Sequence, residues 1–479
     1  MEDPIIQIQD LFNTINHSSW DQIHKIPQSG GDRVYYRIHQ GEHSWIATSS
    51  LNIKENQTFI YFAQHFKEKG LPVPKVLAVN EQCTCYIQED VGNTSLLEIL
   101  EKEGKTEHVF KLFQKSLKSL AALQVNGHQD LDYQKCLTSK IFGNQSIMTD
   151  LLYYKYYFLD SLQYPYDKQA LMNEFELLSD QLASRDFNYF LFRDFQSRNI
   201  MVHNDEVYFI DFQGGMQGGL SYDVASLLWQ AKAELSQEWK DQLLAYYIQE
   251  VNKLLPQALN EAAFRIQYNG FVLLRLLQVL GAYGFRGLFE RKAHFLASIP
   301  LGLNNLKNFL ATTDLKKDTP VFASILQWMV SDEVVARFTP PIANDKTALE
   351  VTIHSFSYKK GIPVDPTDNG GGFVFDMRGI LNPGRFDDYK KLSGLDKPVQ
   401  DFLEQKTKMN VFLNSVWDLV DINVEDYLKR GFASLQINFG CTGGQHRSVF
   451  AAEQTARHLR NKYKVKVNLV HTNKENWVK

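Results

Sequence analysis

Asp194 and Asn199 stand five residues apart in FRDFQSRNI (192–200), and Asp211 closes a second apolar stretch in VYFIDFQGG (207–215). Hard oxygen donors after two short apolar runs suit a divalent cation. Mg²⁺ prefers carboxylate and amide oxygens, keeps several waters, and needs only one or two protein ligands when phosphates supply the rest. Moving the γ-phosphoryl group of ATP has that requirement, plus a base or orienter for the attacking hydroxyl, because the problem is alignment and charge neutralisation. The spacing therefore assigns Asp194 to the hydroxyl, and Asn199 and Asp211 to magnesium. Each residue alone is more often the residue of a capped turn or helix start. The combination RDxxxxN followed by an apolar run ending in DF, with a small sheet upstream, favours phosphotransfer.

A second stretch carries chemistry of its own. LQINFGCTGGQHRSVFAAEQTARHL (435–459) reads as a strand, a glycine-rich loop and a helix. Loop amides, the helix N-terminus and Arg447 form an anion site. Cys441 and Arg447 satisfy the Cys-x5-Arg spacing of thiolate phosphatases, but Gly440 stands where those enzymes carry histidine and no general acid is placed. The binding-loop reading is therefore preferred to hydrolysis, and a plain glycine turn beside a buried cysteine is the structural alternative. His446, between the glycines and Arg447, is assigned to the ligand.

The elements that must position these groups follow from pattern. Residues 33–91 alternate β-like runs (RVYYRI, HSWIATS, CYIQEDV) with one amphipathic helix, NQTFIYFAQHFKEKG, ended by Gly70 and PVP. From about 95 to 310 helical periodicity dominates, broken by short strands at FLFRDF and VYFIDF. FTPPIANDKTALE (338–350) marks a boundary, beyond which LEVTIHSFS, GGFVFDMRG, FASLQINFG and KVNLVH alternate with helices at 397–418 and 448–462. The expected architecture is an α+β bilobal, protein-kinase-like domain followed by a separate α/β domain. Its parts are a nucleotide-binding lobe at 1–92, a mostly helical lobe at 93–337, a linker at 338–348 and the second domain at 349–479.

Composition narrows the class. With 44% apolar and 22% charged residues in 479, the chain can bury several cores. A net charge of −4 excludes a globally basic nucleic-acid binder. MEDPIIQIQDLF lacks the basic region of a secretory signal, and four cysteines form neither a paired framework nor a zinc pattern, so a reducing cytoplasm is expected. NGFVLLRLLQVLGAYGF (269–285), interrupted by Arg275, reads as a buried helix rather than a membrane span, with a buried carboxylate expected beside the arginine. From Arg457 onward seven Lys or Arg face one Glu. Such an end can grip RNA, although a solvated helix face and strand is the preferred reading.

FRDFQSRNIMV and VYFIDFQGGMQGGLSYDVASLL together resemble the aminoglycoside phosphotransferase and choline kinase superfamily. More narrowly they are similar to the cell-wall-recycling kinases that phosphorylate the anomeric hydroxyl of N-acetylmuramate or N-acetylglucosamine. SGGDRVYYRI (29–38), KENQTFIYFAQHFKEKGLPVPKVLA (54–78), IQEDVG (87–92) and RLLQVLGAYGFRGLFERKAHFLASIP (275–300) extend the resemblance from about residue 20 to about 310. It implies Asp194 as catalytic base, Asn199 and Asp211 as magnesium ligands, and Glu89, Asp90 and Val91 as adenine contacts. Gly30, Gly31 and Arg37 would attend the nucleotide phosphates, and Arg198 the phosphate or sugar. Asp223 would fix the catalytic loop or cap the next helix. Phe192 replaces the family's histidine, and HSWIATSS has no lysine where kinases place one; Arg33, Arg37 and Lys54 are the candidates to replace it. Another hydroxyl acceptor, choline-like or aminoglycoside, is the alternative substrate class.

SFSYKKGIP, FVFDMRGILNPGRF, LSGLDKPVQDFLEQ and GCTGGQHRSVFAAEQTARHL resemble the C-terminal domain of RapZ-type RNase adapters. That resemblance implies an amino-sugar-phosphate ligand, contacted by Ser355, Lys359, Asp376, Arg378, Cys441, Gly443, Gly444, His446, Arg447, Ser448 and His471. The family's G-x-x-x-x-G-K-[ST] part is absent, and a kinase stands in its place. A non-catalytic RNA-binding adapter is accordingly the other function class.

Overall fold

The computed structural model describes residues 4–16, 19–26, 33–183, 188–315, 317–367 and 372–478, with residues 16, 293 and 294 described by backbone alone. It divides into two compact units, Met1–Phe289 with Ser298–Ser331, and Glu290–Ala297 with Asp332–Lys479.

The first unit opens with an amphipathic helix outside the expected elements, α1 (Pro4–Asn16). Its Ile8, Leu11 and Phe12 pack onto Ile38, Ala47, Cys85 and Ile87. Those residues lie in an antiparallel sheet of β1 (Gln22–Lys25), β2 (Val34–Gln40), β3 (His43–Ser49), β4 (Val76–Val79) and β5 (Cys85–Glu89), ordered β1-β2-β3-β5-β4. Between β3 and β4 runs α2 (Ile53–Glu68), capped by the Asn52 side chain accepting from the Glu55 amide. Phe59, Phe62 and Phe66 recur at helical spacing on its buried face. Phe59 stacks on Phe212 with ring centroids 4.8 Å apart, and Phe66 meets Phe190 edge-on at the same distance. This aromatic column ties α2 to the two stretches that carry Asp194 and Asp211.

Those stretches are positioned by two short ladders rather than by pairing with each other. Asn188–Leu191 runs antiparallel to Met216–Gly219, and Ile200–His203 antiparallel to Glu206–Phe209. Around them pack long helices, among them Glu107–His128, Gln237–Asn252 and Glu261–Tyr283. The segment Glu261–Phe289 is long and apolar enough to cross a membrane by composition, yet 61% of its most apolar window is buried inside the protein. Arg275 within it is 3% exposed and donates to the Tyr222 hydroxyl (3.0 Å) and the Gln278 amide oxygen, not to the carboxylate expected beside it.

The second unit is built on a parallel sheet ordered Phe373–Asp376, Ser434–Cys441, Glu350–Ser357, Lys466–His471. Val351, Ile353, Ile437 and Phe439 are fully or almost fully buried, the near-continuous apolar pattern of strands covered on both faces. Met409–Arg430 and Arg447–Tyr463 supply long helices to the same core.

Gly284, where the long helix widens into a wider turn at Gly284–Phe289, is a sensitive contact. A Cβ there would lie 2.2 Å from the Tyr157 carbonyl oxygen, a backbone atom that cannot swing aside. Gly284→Ala should lower the stability of this unit by about 1–3 kcal/mol or more, read as an earlier denaturant midpoint in its unfolding transition.

Candidate functional site

The loop after Asn188–Leu191 is shaped by a buried carboxylate. Asp223, fully buried in Ser221–Leu228, accepts from the Phe192 amide (2.8 Å), the Arg193 amide (3.0 Å) and the Gln124 side chain (3.1 Å). Arg193 takes a left-handed backbone (φ 81°), and its guanidinium bonds Asp150 and the Tyr222 hydroxyl, each at 2.7 Å. A non-glycine residue holds such a conformation only where the surroundings over-determine it, and these bonds do so. The next residue, Asp194, is thereby presented half-buried at the turn. Ser197 is fixed in turn by its hydroxyl, which donates to Gln230 (2.8 Å).

Asn199 joins Asp194 through its side-chain nitrogen, which donates to the Asp194 carbonyl at 2.9 Å. With that nitrogen committed, Oδ1 is left as the acceptor for a cation. The Asn199 carbonyl accepts from the Ile210 amide at 3.1 Å, which brings the segment bearing Asp211 alongside. Asp211 is also left-handed (φ 68°), and its Oδ1 accepts from Gln213 Nε2 at 2.7 Å. The constellation of Asp194, Asn199 and Asp211 is thus linked by backbone and side-chain bonds within one loop system. Among the described residues no three His, Cys, Asp or Glu side chains gather into a metal cage. A cation here would rest on one amide oxygen, one carboxylate and the oxygens a substrate brings, which fits Mg²⁺ chemistry.

Arg198 is exposed, its charge near enough to the Tyr283 phenol to counter the rise that burial imposes there. At the hinge after β5, Asp90 takes the Arg37 guanidinium in two bonds (2.7 and 3.2 Å), and Arg37 also reaches the Gly92 carbonyl (3.1 Å). Arg37 therefore braces the hinge. Glu89 accepts from Lys67 (2.9 Å) and the Lys75 amide (3.0 Å), and Val91 is buried. Gly30 and Gly31 lie outside the described residues. Sequence reasoning missed Asp150, Gln124, Gln230, Glu55 and Gln213. Most of their contacts cross tens of residues, from Asp150 to Arg193, Gln124 to Asp223, Gln230 to Ser197 and Glu55 to Gln213, and no local pattern flags them.

In the second unit the glycine loop follows Ser434–Cys441 at the carboxyl end of the sheet, where parallel α/β sheets bind ligands. The Gly444 amide (φ +64°) lies 3.2 Å from Cys441 Sγ, and the Ser448 hydroxyl is 3.2 Å from the same sulfur. Arg447, 5% exposed, donates to the carbonyls of Ile380 (2.8 Å) and Arg378 (3.1 Å), while its Nε is buried without a hydrogen-bond partner. Asp376 holds Arg378 at 2.7 Å, and Arg378, with Arg447 beyond it, keeps that carboxyl below the ordinary range. Ser355 bonds His471 (2.8 Å), and His471 reaches Glu453 (3.2 Å). His446 Nε2 is tied to the Tyr389 carbonyl (2.9 Å), and Gly443 accepts from Asn473 (2.7 Å). Lys359 is exposed and joins the set only through its backbone amide, bonded to Ser357. Of the basic C-terminal residues, Lys462 pairs with Asp421 (2.7 Å) and Arg460 with the Val467 carbonyl (3.0 Å).

A small sheet with two helices, a connection after β5, and a helical half presenting Asp194, Asn199 and Asp211 is the layout of a phosphotransferase domain. Residues 23–258 match the model of the phosphotransferase enzyme family, and residues 349–475 match that of the RapZ C-terminal domain. Among curated proteins, a nucleotide-binding protein of Shewanella halifaxensis is 37% identical over 127 residues, 26% of this chain and 43% of the relative. Another from Bacillus cereus is 34% identical over 185 residues, 37% of this chain and 59% of the relative. The chain thus spans only about half the length of these relatives. Among solved structures, the choline kinase of Streptococcus pneumoniae aligns over 64% of this chain and 99% of its own, at 13% identity and a TM-score of 0.43.

Burial pushes the Asp223 carboxyl up to about 7, against the pull of the Phe192 and Arg193 amides. A carboxyl raised in the folded state favours folding while protonated, so its contribution is complete below the ordinary 3.8 and is lost as pH rises through about 7. The melting-temperature advantage of wild type over Asp223→Asn should therefore shrink between about pH 5 and about pH 7 and level off above, by differential scanning fluorimetry.

Proposed function

We propose that the N-terminal domain is an ATP- and Mg²⁺-dependent kinase of a small-molecule hydroxyl, acting in the cytoplasm. The observation that carries this is the pair of bonds from Asn199 to the Asp194 carbonyl and from Ile210 to the Asn199 carbonyl, which tie base, amide and carboxylate together. The lobes are taken as 1–92 and 93–337, with 338–348 as linker and 349–479 as the second domain. Asp194 accepts and aligns the attacking hydroxyl. Asn199 Oδ1 and the Asp211 carboxylate hold the cation, which when bound supplies charge neutralisation at the phosphates. The hinge residues Glu89, Asp90 and Val91 border the adenine, and Arg198 approaches the sugar or its phosphate.

The acceptor proposed is the anomeric hydroxyl of N-acetylmuramate or N-acetylglucosamine, supported by the run of sequence similarity between residues 29 and 300. For the second domain the ligand is an amino-sugar phosphate, whose anion would sit on the Gly443–Gly444 amides and Arg447. Support comes from the buried, unpartnered Nε of Arg447 beside a glycine loop at a helix start. That domain reports the pool of related sugar phosphates to the kinase.

Two outcomes test this reading. Incubation with ATP, Mg²⁺ and a panel of amino sugars should yield an acid-labile anomeric phosphate by phosphorus NMR, and Asp194→Asn should lower kcat by about 10²–10⁴-fold. Glucosamine 6-phosphate should change the kinase rate in wild type, with the response lost in Arg447→Met. Wild-type-like turnover by Asp194→Asn would remove the role given to that carboxylate.

A further inference from the structure

A kinase needs a cation against the nucleotide phosphates, normally a strand lysine paired with a helix glutamate. Here β3 (HSWIATS) offers none: its buried positions are Ile46, Ala47 and Thr48. Three cations lie nearby in sequence. Arg37 is held at the hinge by Asp90. Lys54 is exposed, and its charge is felt at Cys136. Arg33, just before β2, is 6% exposed and pairs with Glu55 in the first turn of α2 at 2.5 Å.

The pair does not stop there. Glu55 Oε1 also receives Gln213 Nε2 at 3.4 Å, and the same nitrogen bonds Asp211 Oδ1 at 2.7 Å. Gln213 is 8% exposed, and its own Oε1 is buried without a partner, so the amide is held in place by what its nitrogen bridges. Two carboxylates converging on one buried amide repel each other unless cations flank them. Arg33 flanks Glu55; the corresponding place beside Asp211 is that of the metal. Tyr35 confirms that these charges share one locality: Arg33 donates to its hydroxyl at 3.4 Å, and its phenol feels Arg33, Asp211 and Glu55 together.

Resting on the kinase reading above, we propose that Arg33 is the cation that meets the nucleotide phosphates in place of a strand lysine, and that the chain Arg33–Glu55–Gln213–Asp211 keeps it in register with the metal-binding carboxylate. Arg33 is then a nucleotide-contacting residue, and Gln213 a positioning residue acting through Asp211. A guanidinium suits this place because it stays charged when buried and can donate to Glu55 and to phosphate oxygens at once.

The test measures binding of Mg-ATP and of adenosine to the full chain by calorimetry, without acceptor. Arg33→Met should weaken Mg-ATP by about ten- to a hundredfold with adenosine unchanged, and Arg33→Lys should restore most of it. Gln213→Leu should raise the Mg²⁺ concentration for half-maximal ATP binding several-fold while affinity at saturating Mg²⁺ is kept. Circular dichroism verifies folding, and Glu55→Gln, which removes the charge paired with Arg33 while keeping the arginine, serves if Arg33→Met does not fold: it should shift Mg-ATP affinity and leave adenosine alone. Unchanged Mg-ATP affinity in the folded variant, or equal losses for both ligands, overturns the assignment. Wild type that binds no Mg-ATP overturns this and the kinase reading together, whereas Mg-ATP binding without sugar phosphorylation counts only against the acceptor.

Discussion

Two consecutive backbone amides pointing at one buried carboxylate are the constraint on which the N-terminal site depends. Phe192 and Arg193 can turn their N–H groups inward only because Asp223 is there to accept them. Left without an acceptor, each buried amide would cost about 1–3 kcal/mol, enough to release the turn. The cost of burying Asp223 itself is offset only in part by those amides, by Gln124, and by the nearby Arg275 charge. Arg193 carries the strain of a left-handed backbone, and its ion pair with Asp150 keeps it from relaxing. Everything that Asp194 can do follows from a loop held in this way.

The sheet and helix upstream serve that loop through packing as much as through charge. Phe59 on α2 stacks on Phe212, which lies between Asp211 and Gln213 in sequence. The Glu55–Gln213 contact and the Phe59–Phe212 stack therefore link the same pair of segments, one polar and one apolar. Movement of α2 would be felt at Asp211 through both.

Much of this was legible in the sequence where a residue type and a short spacing carry the meaning. Asp194, Asn199 and Asp211 declare themselves by motif, and the structure bonds Asn199 to Asp194 and to Ile210, the neighbour of Asp211. The alternation of short apolar runs, and the parallel α/β pattern after residue 349, were read from periodicity. What stayed hidden depends on pairing across distance. Nothing local says that Asn188–Leu191 would pair with Met216–Gly219 rather than with the neighbouring hairpin. Nor does a local pattern reveal Gln213 beside Glu55, 158 positions earlier. Arg275 hydrogen-bonds a phenol and an amide, and the buried carboxylate expected near it, that of Asp223, feels its charge with no hydrogen bond between them among the described contacts. Helix α1 has too few residues to announce itself by propensity alone, and it forms because the sheet offers an apolar face.

In the second unit the glycine loop is braced from far downstream. Trp477 donates to the Gly444 carbonyl (2.8 Å), Val478 exchanges bonds with the Gln445 amide (2.9 and 3.2 Å), and Asn473 holds Gly443 (2.7 Å). During translation those struts emerge some thirty residues after the loop they support, when the whole N-terminal domain has already left the ribosome. The glycine loop therefore takes its final shape only once residues some thirty positions downstream are available to brace it.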